Sequence, residues 1–282
     1  MMILDGKLVS QLKLSQIQKR AVSLTRKMAR KPGLAVVLIG DDPASQVYVR
    51  NKVKTCEEHG LESFLYKLPA KSSEKEVLAL ITKLNKNKKV DGILVQLPTP
   101  KHLNGEKITE HILPEKDVDG LTTHNQGLLL KGQYKVAPCT PSGVMEILKH
   151  YDIDVVGKNC VVIGRSSIVG KPMALLLLAA NATVTIAHSK SKNLSEITRS
   201  ADIVVVAAGR PNFFGKKFFN ENAIVIDVGI HRLPTGLCGD VNFKEASEVV
   251  KAITPVPGGV GPMTITQLLM NTLILAENNF KA

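Results

Sequence analysis

Residues 159–172 read NCVVIG-RSSIVG-KP, and their order decides the fold. Cys160, Val161, Val162 and Ile163 form a short apolar run rich in β-branched side chains, the mark of a strand buried on both faces. Gly164 lets the chain turn sharply, and Gly170 lets a helix predicted over about 169–180 pack against a sheet. A strand, a glycine turn and a helix start form the setting in which helix N-termini hold phosphate. The run is not G-x-G-x-x-G, because Ser166 stands, after Arg165, where that pattern has its second glycine. Taken alone, the loop also reads as an ordinary turn between strand and helix.

The next strand, TVTIA at 183–187, leads into His188-Ser189-Lys190-Ser191-Lys192. NAD-binding domains of this kind place an Asp or Glu about 20 residues on, where it takes the ribose 2′-hydroxyl. No carboxylate stands here. Hydroxyls and cations do, so the loop suits a 2′-phosphate, and NADP is favoured over NAD; a solvated basic loop is the alternative. Two further apolar strands follow, DIVVVAAG at 202–209 and AIVIDVG at 223–229, and a last helix is predicted over about 263–278 after ITPVPGGVGPMT. Upstream, Thr140-Pro141 reads as an N-cap with proline at N1, opening a helix to about Tyr151.

The first half repeats this grammar. Leu8, Leu12, Ile17, Ala21, Leu24 and Met28 recur near the helical period, and Pro32-Gly33 ends that helix. LAVVLIG at 34–40 is a buried strand, and a helix over about 44–59 stops at Gly60. A strand at 61–68, a helix at 74–86 and the strand GILVQLP at 92–98 complete a βαβα order. That order predicts an α/β fold with a parallel sheet covered by helices on both sides. Two such halves give two domains, 1–139 completed by a C-terminal helix at 264–282, and a Rossmann-type domain at 140–263. The active site is expected in the cleft between them.

Composition limits the partners. The 282 residues carry 37 Lys and Arg against 25 Asp and Glu, a net charge of +12, and residues 1–140 hold 23 of the basic and 14 of the acidic residues. With 44% apolar and 22% charged residues the chain is globular rather than disordered. Its charge is compatible with a polyanionic partner. Trp is absent and aromatics make up 4%, so a surface for stacking nucleic-acid bases has little to be built from. No apolar run approaches the ~20 residues of a membrane span, and the N-terminus has no secretory-signal pattern. Cys56, Cys139, Cys160 and Cys238 are scattered, so neither a zinc site nor a disulfide framework is expected, and the reading is cytoplasmic.

The chemistry-bearing residues lie elsewhere. In PASQVYVRNKVK (43–54), Ser45, Tyr48 and Lys52 fall at i, i+3 and i+7, on one helix face. Tyr48 offers a flat ring, and Lys52 serves as acid or base only where its surroundings lower its pKa. Composition alone favours the plainer reading, a solvated lysine on a surface helix. Gln96 ends a buried strand at its C-terminal end, where ligands bind in open α/β sheets, and Asp119 lies in the loop KDVDGL.

Together, LDGK, PASQ with Tyr48 and Lys52, DGILVQLPTP, KDVDGL, PCTPSG, VVIGRSSIVGKPM, ATVTIAHS, DVGI and ITPVPGGVGPMT resemble the bifunctional methylenetetrahydrofolate dehydrogenase/methenyltetrahydrofolate cyclohydrolase family over nearly the whole chain. The resemblance implies oxidation of 5,10-methylenetetrahydrofolate with NADP+ and hydrolysis of the product to 10-formyltetrahydrofolate, in one-carbon metabolism. It makes Lys52 the proton-transfer residue, Gln96 its hydrogen-bond partner, Tyr48 the ring packed on the folate, and Asp119 the ligand of the pterin edge. It assigns Gly164, Arg165 and Ser166 to the cofactor phosphates, Ser189 to the 2′-phosphate and Ile230 to the nicotinamide half. Pro257, Gly258, Gly259 and Pro262 become the loop between cofactor and folate. It further implies a homodimer through the cofactor domains, with no metal, nucleic acid or membrane as partner. The basic excess then fits a folate with a glutamate tail, possibly polyglutamylated, although most of these lysines read as solvated surface. Arg50-Asn51, the stretch LTTHNQG after Gly120 and the turn Cys238-Gly239-Asp240 depart from the family pattern and read as neutral to the chemistry.

Overall fold

In the computed structural model, which describes residues 1–234 and 236–281, apolar runs and helical periods alternate largely as the sequence predicts. The chain opens with β1 (Met2–Ile3) and α1 (Gly6–Met28). β2 (Gly33–Ile39), α2 (Pro43–Glu58), β3 (Glu62–Leu68), α3 (Glu74–Lys86) and β4 (Gly92–Val95) follow, then α4 (Gly105–Glu110) and α5 (Thr123–Leu130). The second half runs α6 (Cys139–His150), β5 (Asn159–Ile163), α7 (Gly170–Ala179), β6 (Thr183–Ala187), α8 (Leu194–Arg199), β7 (Ile203–Val206) and β8 (Ile224–Asp227). A hairpin of β9 (His231–Leu233) and β10 (Gly236–Cys238), α9 (Phe243–Ser247), β11 (Ala252–Ile253) and the long α10 (Val260–Lys281) complete it. Contacts divide the chain into two units: Lys13–Cys139 with the residues from Leu268 on, and Met1–Leu12 with Thr140–Gln267.

The first unit is built on a three-stranded parallel sheet ordered β3-β2-β4. The central β2 is buried throughout, as its unbroken apolar run requires. Ala35, Val37 and Ile39 pack with Ile93 and Val95 against Val77, Ile81 and Leu84 of α3, whose start carries a Ser73–Glu76 capping box. The loop from β2 to α2 turns at Gly40 (φ +85°). Asp42 then caps α2 by accepting from Ser45 N, with Pro43 in the first turn. Beyond β4 one more ladder bond forms, Gln96 N to Val37 O at 2.9 Å, which fixes Gln96 at the carboxyl end of the sheet.

The second unit holds six parallel strands in the order β1-β11-β8-β7-β5-β6. From β5 the chain goes to β6 on one side and then returns to β7 on the other. Adjacent connections that diverge in this way open a crevice at the strands' carboxyl ends. Here the N-terminus departs from the sequence reading. Met1–Leu12 belong to this unit and not to residues 13–139: Met2 N donates to Lys251 O and Leu4 N to Ile253 O, adding β1 beside β11. Two residues carry no periodicity, so the strand left no trace in the pattern. α6 also starts two residues earlier than predicted, and Thr140 is not its cap; Thr140 Oγ1 instead shares a hydrogen bond with Thr264 Oγ1 at 3.0 Å.

Candidate active site

Ser45, Val49, Lys52 and Cys56 form the buried stripe of α2. Lys52 is 6% exposed, so the solvated-lysine reading is excluded. Its Nζ donates to Gln96 Oε1 at 3.0 Å and lies 5.3 Å from the centroid of the Tyr48 ring. Gln96 is itself oriented, because its Nε2 donates to Leu97 O at 2.7 Å; the amide oxygen is thereby turned toward Lys52. Burial pushes the Lys52 pKa below that of an ordinary lysine, and the nearby charge of Asp119 opposes that shift. Burial also raises Tyr48.

Asp119 is half-buried and faces two groups, Lys52 and the Cys139 thiol. Burial first, then the Asp119 charge, holds Cys139 well above its ordinary value, so it stays a neutral thiol. The backbone on either side is pinned by Asn271 of α10, whose Nδ2 donates to Val118 O at 2.8 Å and Ala137 O at 2.9 Å. Nothing in the sequence singled out Asn271, since a lone Asn on a helix carries no motif. Lys54, two residues from Lys52, is exposed and 3.8 Å from Glu58.

The second unit carries a pocket of about 280 Å3 at its strands' carboxyl ends. Gly164, Arg165 and Ser166 after β5, His188 and Ser189 after β6, and Ala208 and Arg210 after β7 line it. Glycine is required twice. At Gly164 (φ +133°) a Cβ would fall 2.3 Å from Ala207 O, and at Gly170 it would fall 2.2 Å from Gly164 O. Ser166 Oγ accepts from Val169 N and Gly170 N at the start of α7. The lining offers two guanidinium groups and serine hydroxyls, with no carboxylate, and so fits a phosphorylated dinucleotide. Ile230 follows β8 and is exposed. Pro257, Gly258, Gly259 and Pro262 lie in the same unit. There Lys7 N donates to Gly258 O at 2.9 Å, and a Cβ on Gly6 would meet Gly259 O at 1.8 Å.

Asp240, taken as neutral to the chemistry, is fully buried and accepts hydrogen bonds from the backbone of Ala208, Gly209 and Arg210, two of which line the pocket. Its partner in the core is Asp227, which accepts from Gly229 N, Asp240 N and Val241 N. Burial raises Asp227 to about 7 in spite of these donors.

A Rossmann-type unit with a pocket that fits a phosphorylated dinucleotide and an α/β unit with a buried lysine held by a glutamine define a two-domain dinucleotide-dependent oxidoreductase. Residues 4–119 match the catalytic domain of tetrahydrofolate dehydrogenase/cyclohydrolase, and residues 138–280 match the NAD(P)-binding domain of the same enzymes. The chain belongs to the tetrahydrofolate dehydrogenase/cyclohydrolase family. It is 53% identical to the bifunctional protein FolD of Bdellovibrio bacteriovorus over 98% of this chain and 96% of that one. The crystal structure of the bifunctional FolD enzyme from Campylobacter jejuni superposes with a TM-score of 0.96 at 49% identity, covering 99% of both chains. The Trypanosoma brucei enzyme, solved with NADP cofactor and inhibitor, has a TM-score of 0.95 at 36% identity over 100% of this chain and 99% of that one.

Proposed function

We propose that Lys52, held by Gln96, is the proton-transfer residue of a bifunctional enzyme of one-carbon metabolism. The enzyme oxidises 5,10-methylenetetrahydrofolate to 5,10-methenyltetrahydrofolate with NADP+ and hydrolyses the product to 10-formyltetrahydrofolate. The observation that carries this reading is the 3.0 Å contact between the buried Lys52 Nζ and Gln96 Oε1.

The oxidation needs alignment more than a strong base, since a nitrogen lone pair of the substrate expels the hydride. NADP+, when bound, supplies the hydride acceptor. Gly164, Arg165 and Ser166 would hold its phosphates and Ser189 would serve its 2′-phosphate, and the backbone at Ile230 would serve its nicotinamide half. Tyr48 stacks on the folate ring system, and Asp119 takes the pterin edge. Pro257, Gly258, Gly259 and Pro262 are the further residues assigned to substrate binding.

Hydrolysis starts with attack of water on the methenyl carbon, and a group must take the water proton. Gln96 Oε1 is an acceptor only, so Lys52 directs one N–H to it in either protonation state. Burial favours the neutral amine, whose lone pair then accepts the proton. As the C–O bond forms, the C=N π pair of the methenyl cation moves onto nitrogen. The adduct then opens by breaking the carbon–N5 bond, N5 taking the proton from the Lys52 ammonium while the adduct's hydroxyl proton leaves to solvent, so that 10-formyltetrahydrofolate forms and Lys52 returns to the neutral amine.

We place the enzyme in the cytoplasm as a homodimer joined through its dinucleotide units, with folates rather than nucleic acid or membrane as partners. Support for the dimer comes from the open edge of the six-stranded sheet, where Ile186 on β6 is 43% exposed. Among the described residues, no helix is long and apolar enough to cross a membrane. A spectrophotometric assay with methylenetetrahydrofolate, run with NADP+ and NAD+ in parallel, tests the function. Reduction of NADP+ in preference to NAD+ is expected; reduction of neither overturns the proposal.

A further inference from the structure

β7 ends at Val206, and the ladder gives out one residue later, where Ala207 N donates to Ile163 O. The next three residues have no sheet partner to shape them, yet Ala208 and Arg210 line the dinucleotide pocket. Their amides converge on one side chain. Asp240 Oδ2 accepts from Ala208 N at 2.6 Å and Gly209 N at 2.9 Å, and Oδ1 accepts from Arg210 N at 2.7 Å. Successive backbone N–H groups arranged in this way make an anion site. In this protein the anion is supplied by the chain itself.

Asp240 is in turn fixed from behind. Its own N–H donates to Asp227 Oδ1 at 3.0 Å, and its carbonyl accepts from Phe213 N at 2.8 Å. His231 Nε2 lies 2.7 Å from Oδ1. Glycines make room for both acids: a Cβ at 229 would stand 2.5 Å from Asp240 Cγ, and one at 239 would stand 1.8 Å from Asp227 Oδ2. The Arg210 guanidinium lies 3.4 Å from the Phe213 ring centroid, so the loop delivers a stacked cation to the rim of the pocket.

We infer that Asp240 is a positioning residue for cofactor binding, its carboxylate holding residues 208–210 in the form that lines the dinucleotide pocket. The inference rests on reading that pocket as the NADP site, and NADP+ binding to the unsubstituted enzyme tests that reading by itself. An Asn at 240 keeps one acceptor oxygen and turns an amide NH2 toward at least one backbone N–H, so the loop loses a bond and gains a donor–donor conflict.

The test is Asp240→Asn, with the dissociation constant for NADP+ measured by titration and KM and kcat by initial rates. The expected result is a tenfold or larger rise in both Kd and KM for NADP+, with kcat at saturating NADP+ within about threefold. If the unsubstituted enzyme binds NADP+ and Asp240→Asn binds it equally well, the inference fails while the site assignment stands. A parallel collapse of methenyltetrahydrofolate hydrolysis, which uses no dinucleotide, shows a general structural role and overturns it as well. Should Asp240→Asn not fold, hydrogen exchange on the unsubstituted, cofactor-free enzyme decides. Amides 208, 209 and 210 should exchange at least a hundredfold more slowly than unstructured amides, and fast exchange at all three rules the clamp out.

Discussion

Lys52 and Gln96 stand 44 residues apart in the chain and 3.0 Å apart in the fold. Helix α2 brings the lysine and the end of β4 brings the glutamine, so two elements of one parallel sheet unit supply the two halves of the proposed proton-transfer site. Replacing Lys52 with Met keeps the length of the buried side chain and removes the amine. Cyclohydrolase activity should fall by at least a thousandfold while folate binding stays measurable. Near-normal hydrolysis in Lys52→Met would remove Lys52 from the chemistry.

The neutral-amine role has its own test in Gln96→Glu. A carboxylate in place of the amide favours the ammonium and raises the Lys52 pKa. If the free amine accepts the water proton, hydrolysis depends on the deprotonated fraction, and the rising limb of its pH profile should move to higher pH. At pH 7 the rate should drop at least tenfold and recover partly toward pH 9. A Gln96→Glu profile that keeps its rising limb in place would rule out the neutral Lys52 amine as the proton acceptor.

The strands and the helices joining them were legible because each carries its period over several residues. β2 and β5 are unbroken apolar runs, and α3 shows Val77, Ile81 and Leu84 on its buried face. Short or nonlocal features left no such signal. β1 spans two residues, and its partner β11 lies some 250 residues later (a pairing no local pattern encodes). Lys52 was picked out by its spacing, but its burial could be learned only from the fold. Asp240 was passed over for the opposite reason: its role lies in backbone amides 30 or more residues upstream, and any residue type can supply a backbone amide.

The LDGK and PGG motifs meet at one contact, so Gly6 bears on stability and on the cofactor side of the enzyme. A Cβ at position 6 would lie 1.8 Å from the Gly259 carbonyl oxygen. That oxygen belongs to backbone and cannot swing aside as a side chain does, so the 255–259 loop must shift. Gly6→Ala should cost about 1–3 kcal/mol, the usual range for forced overpacking, read as a lowered Tm. Dehydrogenase activity should fall more than cyclohydrolase activity. An unchanged Tm would mean that the loop accommodates the methyl group freely.

Ile186, on the open edge strand β6, is the exposed apolar residue on which the proposed homodimer rests. A charge there must lose its water when the edge is covered, at a cost of several kcal/mol. Ile186→Asp should therefore convert a dimer to a monomer at micromolar concentration in sedimentation velocity, with the monomer still folded by circular dichroism. A dimer that survives Ile186→Asp would have to be joined elsewhere.

Asp227 sets a pH dependence whose sign follows from its burial. Its pKa is raised from 3.8 to about 7 in the folded chain, so between those values the folded state holds a proton that the unfolded state has released. Its contribution to stability is therefore complete below about pH 3.8 and lost as pH rises through about 7. Between pH 5 and 6.5 the loss should run at about 1.4 kcal/mol per pH unit. Asp227→Asn cannot ionise, so it lacks this slope, although its NH2 costs some stability at every pH by facing the Val241 or the Asp240 and Gly229 amides. Denaturant unfolding of both proteins from pH 5 to 8 should show the difference, variant minus unsubstituted, moving in favour of Asp227→Asn as pH rises and levelling off above about 7. A difference that stays constant across that range would mean that Asp227 is ionised throughout, with its three backbone N–H donors outweighing burial.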